Sequence, residues 1–332
     1  MPSILLLIAL ALGMSSAQAE EPIPLTIVSF SAPDSAHGRR WVRFNNEVEQ
    51  TLGDKVALNM LTGGQLGNEE NMLSSLRRGR AQMGIVSIGA LAALVPELSI
   101  LAAPFLFDSD AEADFVMDHY LFEPYAALLA DRGLTLMKWE EGGWHNLYGR
   151  KPLTLPSDLA DYRLRSSATE ATRLFLAEAQ ADVVVLDFGD MVAALDTGLV
   201  DGGVTTSVMY RVAGLYESAP HFTLTRHAFA PGALLANKAW ADNTPPQILA
   251  AILNAQGTVD DNRKLVRQEA LESLVLLKDA GITLHELTDQ ERQAWRNVAT
   301  PVQRKLIADI GGQAEWFFAL ALEGKQAFVA AQ

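Results

Sequence analysis

The sequence predicts an α/β protein built as two domains, and three observations carry that prediction. The chain has 332 residues, more than one hydrophobic core usually serves. Apolar residues make up 49% of it and charged residues 20%, an ordinary globular composition with no case for extensive disorder. From Leu25 onward, strand-like and helix-like segments alternate. That alternation gives a parallel sheet with helices on its faces.

Leu25 to Ser31 reads as a strand that Pro33-Asp34-Ser35 breaks. Trp41, Phe44, Val48 and Leu52 then recur at helical spacing, and Gly53 closes the helix. Val56 to Leu61 is a second strand ended by Gly63-Gly64, Glu69 to Arg78 a helix capped by Gly79, and Gln82 to Ser87 a third strand. A second unit follows. Leu134 to Trp139 and Arg163 to Arg165 read as strands, Glu170 to Glu178 as a helix, Val183 to Leu186 as a buried strand, and Gly189 to Thr197 as a helix ended by Gly198. The last third is helical. Asn243-Thr244-Pro245 is a start signal, and apolar positions continue from Ile248 through Leu277 to Gly281. A single helix of that length would extend roughly 54 Å, enough to lie across both domains as a spine. Gly257, an interior glycine that weakens a helix, leaves two ordinary helices as the other reading. Thr288 to Glu291 forms a capping box. Gln313 to Ala331 is the last helix, with Trp316, Phe317, Leu320 and Phe328 on one face.

Residues 1–19 stand apart. Ile4 to Leu12 is apolar but too short to span a bilayer, and Ala17-Gln18-Ala19 reads as a secretory cleavage site before Glu20. No Lys or Arg precedes the apolar run, which a start one or two codons late would explain; a buried N-terminal helix is the alternative. The expectation is an exported, periplasmic protein, cleaved near Ala19, without membrane insertion afterwards. No later stretch reaches about 18 uninterrupted apolar residues.

The net charge of −14 makes nucleic acid and anionic membrane surfaces poor partners. With no cysteine, disulfides, thiolate metal sites and cysteine nucleophiles are excluded. No G-x-S-x-G elbow or H-E-x-x-H motif occurs. The six histidines lack metal-ligand spacing, and Gly63 to Gly67 lacks a P-loop lysine. We expect no enzyme, no cofactor and no metal.

One pair of stretches points to a function: Ser157 to Arg165, read with Val200-Asp201-Gly202-Gly203. The first puts an arginine at the end of a short strand, and the second is a Gly-rich turn after an apolar helix. Together they describe a cleft in which Arg165 clamps a small anion. A guanidinium offers a planar fork matching a carboxylate, and it stays charged when water is expelled, so closure strengthens the pair. The other readings are a surface arginine at a strand end, or Arg163 in that part. Carboxyl ends of parallel strands are where open α/β sheets bind ligands. That topology adds Ser29, Phe30 and Ser31 after the first strand, Gln65 and Asn68 in the glycine-rich loop, and Ser87 with Ile88 after the third.

Six stretches carry a resemblance over nearly all of the chain after residue 19: Gly63 to Glu69, Leu76 to Ser87, Pro104 to Phe107, Leu155 to Arg165, Leu186 to Gly202, and Leu234 to Lys238. In this order and spacing the chain resembles the solute-binding proteins of tripartite ATP-independent periplasmic (TRAP) transporters, the dicarboxylate-receptor or DctP family. The resemblance implies a type II-like periplasmic-binding-protein fold, with two α/β lobes joined by hinge strands and a long C-terminal helix. It puts lobe one at about 23–144 plus 229–265 and lobe two at about 145–228 plus 266–332. It implies a small organic acid as ligand and, as transient partners, membrane permease subunits. A receptor serving an ATP-driven transporter or a sensor kinase is the alternative, and an enzyme on this fold a remote one.

Arg165 stands where the family keeps its carboxylate-binding arginine, and Phe188 matches an aromatic that covers the ligand, core packing being its other reading. Asp187 either bonds a ligand hydroxyl or amine, or caps the helix that follows. Two positions depart from the family pattern. Thr205 occupies the usual Asn position, and His145 stands where many members carry a second arginine. The resemblance thus implies a less cationic pocket, suited to a monocarboxylate or a ligand with an apolar body on which Trp144 could stack. A satisfied strand histidine is the other reading of His145.

Overall fold

Strand β1 (Ile23–Ser29) is the sheet's entry point, and Leu25, Ile27 and Val28 on it are fully buried. The computed structural model describes residues 21–167 and 169–332; the expected signal peptide, residues 1–19, lies outside the described residues, as does the side chain of Phe188. Helix α1 (Ala36–Leu52) starts at Ser35, whose side chain accepts from the Gly38 amide, and buries Trp41, Phe44, Val48 and Leu52 as the spacing predicts. Strand β2 (Val56–Leu61), helix α2 (Glu69–Arg77) and strand β3 (Met83–Ser87) complete the first unit, with β2 and β3 parallel to β1 on either side. The short helix α3 (Ile88–Leu91), α4 (Asp110–Val116), a π-helical turn over Met117–Leu121 and α5 (Phe122–Ala130) lead to the centre of the molecule.

That centre is strand β4 (Leu134–Gly149). The second unit consists of β5 (Arg163–Ser166), α6 (Glu170–Glu178), β6 (Asp182–Val185), α7 (Met191–Asp196), β7 (Gly202–Thr205) and α8 (Ser207–Val212). The chain then returns through β8 (His221–Asn237). The sheet order is β2-β1-β3-β8-β4-β7-β5-β6. The outer pairs are parallel, while β8 and β4 run antiparallel to their neighbours at the centre.

Strands β4 and β8 link the two units. Leu134 to Glu141 pair with Pro231 to Asn237, and Trp144 to Gly149 pair with His221 to Phe229. Between the halves the ladder lapses. Gly142 and Gly143 have no partners, and Gly143 sits at φ +95°, a conformation that suits glycine. A larger irregularity follows, where β4 advances from His145 to Leu147 while β8 goes from Ala228 to Thr223. The extra β8 residues bulge out, and Arg226 takes φ +44° there.

The C-terminal region differs from a single long helix. Helix α9 (Lys238–Asn243) precedes α10 (Pro246–Ala255), and α10 ends at Gly257, φ +71°. Thr258 then caps a new helix, α11 (Val259–Asp279), by accepting from the Asp261 amide. The glycine and the cap together stop one helix and start another. Even so, α11 is the spine. Near its start Arg263 pairs with Asp118 at 2.6 Å, and Arg267 with Asp114 and Glu141 at 2.7 Å each. Further along, Ser273 accepts from Arg211 Nε at 3.0 Å, and Leu277 enters a core with Tyr148, Met191, Tyr210 and Phe222. One helix therefore holds elements on both sides of the joint. Strand β9 (Thr283–Glu286) pairs with β8, α12 (Asp289–Ile310) packs on α6, and α13 (Ala314–Ala330) packs on α4 and the π-helical turn. Phe317 is buried against Tyr125, whereas Trp316 is half exposed.

Candidate ligand-binding site

The site is set by register on three adjacent strands. Arg165 on β5 lies opposite Gly203 on β7, and Gly203 lies opposite Tyr148 on β4. A side chain at Gly203 would put its Cβ 2.6 Å from the Tyr148 hydroxyl and 3.0 Å from the Arg165 carbonyl. The missing side chain is what lets the tyrosine reach across toward the arginine strand.

Arg165 is only 7% exposed. Its side chain makes one hydrogen bond among the described residues, from Nε to the Leu186 carbonyl at 2.9 Å. The two terminal nitrogens of the fork have no protein partner in that set. Burial pulls the guanidinium pKa down, while Tyr148 and Asp187 act in the opposite direction. A largely buried cation whose fork no protein acceptor fills is stabilised when an anion joins it.

Apart from the exposed Asp187 carboxylate, the titratable groups around this cation are neutral. Burial, and then the charge of Arg165, lower the His145 pKa to about 4. The His145 ring is partly exposed, but its Nδ1 is sealed and lacks a partner. Burial raises the Tyr148 pKa against the pull of Arg165, and its hydroxyl is also buried without a partner. Thr205, on β7 opposite Asn146, is buried and makes no side-chain hydrogen bond among the described residues.

A second histidine joins the first. The β8 bulge turns His227 inward, where its Nδ1 lies 2.7 Å from Thr225 Oγ1 and its ring stacks on Phe175 at 4.8 Å. Its centroid is 6.4 Å from that of His145, and its Nε2 is buried without a partner. Burial, followed by His145, lowers its pKa well below the usual histidine value. His221, which simple alternation would put on the same face, instead stacks on His285 at the far side of the bulge.

The remaining expected residues are spread around the cluster. Trp144 donates from Nε1 to Asp110 at 2.5 Å, carries the Arg226 guanidinium 5.0 Å over its ring and meets Phe229 edge-on. Ser87 caps α3, and Glu69 takes its hydroxyl at 2.6 Å and its amide at 2.7 Å. Phe30 is 40% exposed with its edge over Gly64, and Gln65 is exposed. Asn68 caps α2, so it serves the helix start, and Ile88 is core. The side chain of Phe188 lies outside the described residues. Asp187 is exposed and does not cap α7, whose N-cap position is Asp190. Gly89 on α3 faces Thr169 at the start of α6: a Cβ on Gly89 would be 2.8 Å from the Thr169 hydroxyl.

Sequence reasoning missed Tyr148 and His227. Tyr148 depends on the close approach at Gly203, and His227 on a bulge that no local pattern announces. An open cavity of about 410 Å³ lies elsewhere, between α1 and the α10–α11 junction, and includes none of these residues. Among the described residues no cluster of His, Asp and Glu could hold a metal ion, and no helix is long and apolar enough to cross a membrane.

Comparison with known proteins gives a consistent result. The sequence pattern of the family described as "Bacterial extracellular solute-binding protein, family 7" matches residues 27–309. The chain is 26% identical over 308 residues to the C4-dicarboxylate-binding periplasmic protein DctP of Rhodobacter capsulatus, covering 92% of each chain. It is 25% identical over 271 residues to the 2,3-diketo-L-gulonate-binding periplasmic protein YiaO of Escherichia coli (strain K12), covering 81% of this chain and 82% of that one. Among solved structures it resembles the sugar acid binding protein DctPAm of Advenella mimigardefordensis in complex with galactonate. The TM-score there is 0.84 at 26% identity, over 92% of this chain and 99% of that chain.

Proposed function

This chain belongs to the DctP family, the solute-binding receptors of TRAP transporters and not enzymes, and from that premise we propose that it captures a small monocarboxylate through Arg165. The observation that carries the reading is a buried guanidinium whose fork has no partner among the described residues. Asp187, exposed beside it, is the one carboxylate among the described residues whose charge reaches it, while His145 stays neutral down to about pH 4 and Tyr148 keeps its proton. A fork that no protein acceptor fills suits one ligand carboxylate. A second carboxylate would lose its water and meet no cation among Arg165, His145 and Tyr148 beyond the one already used.

In this reading residues 23–144 plus 229–265 form lobe one and 145–228 plus 266–332 lobe two, with α11 along both. Arg165 holds the carboxylate, and His145 and Thr205 contact the ligand from lobe two. Phe30, Gln65 and Ser87 close on it from lobe one, while Trp144 and Phe188 wall the apolar side. The protein works in the periplasm after a signal peptide is removed near Ala19. It hands its solute to TRAP permease subunits in a transient contact. The relatives named for C4-dicarboxylates, 2,3-diketo-L-gulonate and galactonate support an acid as the ligand class.

The test is a thermal-shift screen of mono- and dicarboxylates, run with and without calcium. An acid present at 100 times its Kd should add about 2.7 kcal/mol of stability. The best monocarboxylate should outbind its dicarboxylate counterpart by at least tenfold. Tighter binding of the dicarboxylate would remove the monocarboxylate reading, and no stabilisation by any acid would remove the receptor for acids altogether.

A further inference from the structure

We infer that the open cavity between α1 and the α10–α11 junction is a second ligand site, separate from the Arg165 cleft and independent of the role given to it, and that it takes a small neutral molecule through a carboxamide group.

The cavity measures about 410 Å³, within the usual range for small-molecule sites. Its inner wall carries the buried Arg40, Gln256 and Asn262, and its mouth the exposed Arg43, Glu47 and Lys264. Gln256 is 1% exposed, yet neither its Oε1 nor its Nε2 has a partner among the described residues. Arg40 is 3% exposed. Its two terminal nitrogens grip Glu140 at 2.8 and 2.9 Å, and its Nε has no partner in that set. Buried polar atoms are nearly always hydrogen-bonded, so three left over on one cavity wall mark where a partner belongs.

The wall itself is held in place. The Gln256 amide donates to the Leu253 carbonyl at 3.2 Å, closing α10, and the Gln256 carbonyl accepts from Asn262 Nδ2 at 3.3 Å. Only the side-chain amide is left over. It has no hydrogen bond to lose when it turns into the cavity, whereas Arg40 is fixed by its grip on Glu140.

The unused groups are two donors and one acceptor, and a carboxamide is their complement. Its oxygen has two lone pairs, one for Gln256 Nε2 and one for Arg40 Nε, and its N–H donates to Gln256 Oε1. A carboxylate has no hydrogen for Oε1, and a ketone serves the donors alone. Charge agrees with a neutral ligand. Arg40 is matched by Glu140, and Arg43 and Lys264 at the mouth are balanced by Glu47 and Asp261.

The experiment uses the full mature protein and two probes of one shape: nicotinamide, and 3-acetylpyridine, which has a methyl group where nicotinamide has its NH₂. In a titration followed by NMR, nicotinamide should bind tighter by about tenfold or more. Gln256→Leu keeps similar bulk and removes the unpaired polar atoms, a change that costs a folded protein little. In that variant the two probes should bind within about twofold of each other. In the wild type the Gln256 side-chain NH₂ resonance should move with nicotinamide and hold still with 3-acetylpyridine, and this readout decides even where the variant does not fold. No binding of nicotinamide, equal binding of the two probes, an unchanged preference in Gln256→Leu, or an unmoved Gln256 resonance would overturn the site. Arg165→Ala should leave nicotinamide bound as tightly as before; a loss there would put the amide in the Arg165 cleft and equally overturn it. Acids that bind Arg165→Ala at full strength would instead remove the carboxylate clamp and leave this site standing.

Discussion

Arg165→Ala is the perturbation from which most can be learned. Without ligand, the side chain contributes one charge-assisted hydrogen bond, to the Leu186 carbonyl at 2.9 Å. Such a bond is worth about 1.5–3 kcal/mol. Against it stands the partial burial of a cation with only the exposed Asp187 carboxylate acting on it, which costs stability. The two effects oppose each other, so truncation should cost less than that hydrogen bond alone, under about 3 kcal/mol of unfolding free energy. With ligand present the balance changes. Removing one member of a desolvated charge pair costs about 2–5 kcal/mol, which is roughly 30-fold to several-thousand-fold in Kd. Arg165→Lys should recover only a minor part, because a compact ammonium cannot present two parallel N–H groups to one carboxylate. Calorimetric titration with the best acid from the screen gives the affinity, and urea unfolding of the ligand-free variant gives the stability. Wild-type affinity in Arg165→Ala would refute the clamp. A large loss of stability would show that the arginine serves the fold instead.

Four further outcomes are expected. His145 binds a proton at about 4 in the folded chain against 6.5 unfolded, so between those values the unfolded state carries the extra proton and stability rises with pH. From pH 7 to 4.5 the contribution of His145 should fall by about 2–3 kcal/mol, and urea unfolding at both pH values should give a smaller drop for His145→Phe than for the wild type. Ligand affinity should be level between pH 5.5 and 8, since the imidazole stays uncharged across that range; a slope would mean that its charge takes part. Arg267→Met strands Glu141, whose carboxylate is buried and already pushed up in pKa by that burial. The loss should be about 3–5 kcal/mol, and adding Glu141→Gln should restore part of it in denaturant melts; no restoration would assign the loss to α11 packing. Gly89→Val places branched bulk against the Thr169 hydroxyl, which a single Cβ already approaches to 2.8 Å; overpacking there should cost about 1–3 kcal/mol of unfolding free energy in denaturant melts, and unchanged stability would show that the two elements part without cost.

The elements that could be read from the sequence were those whose patterns are local. Trp41, Phe44, Val48 and Leu52 define α1 by spacing alone, and all four are buried. Thr288 and Glu291 announce α12 through a reciprocal cap that the structure contains. Strand β4 was legible only to Trp139, because Gly142-Gly143 looks like a stop. The strand resumes beyond them since β8 and β7 supply hydrogen-bond partners, and partners are a tertiary property. Gly257 left one helix or two open, and the adjoining cap at Thr258 favours two. In the site, Arg165 could be picked out because its strand and turn have a recognisable order. Tyr148 and His227 could not. One needs the absent side chain at Gly203 across the sheet, and the other needs the bulge that reverses the facing of part of β8.

The lapse in pairing between the two halves of the β4–β8 ribbon has a mechanical consequence. Where neighbouring strands are fully laddered, bending them apart means breaking backbone hydrogen bonds. At Gly142-Gly143 and along the displaced β8 residues the strand-to-strand register is interrupted, and polar bonds there run elsewhere, from the Arg226 amide to the Asn146 side chain and from the Phe105 amide to the His227 carbonyl. In a rotation of the proposed lobes, bending at Gly142-Gly143, where one glycine is already held at φ +95°, disturbs the least of the strand pairing.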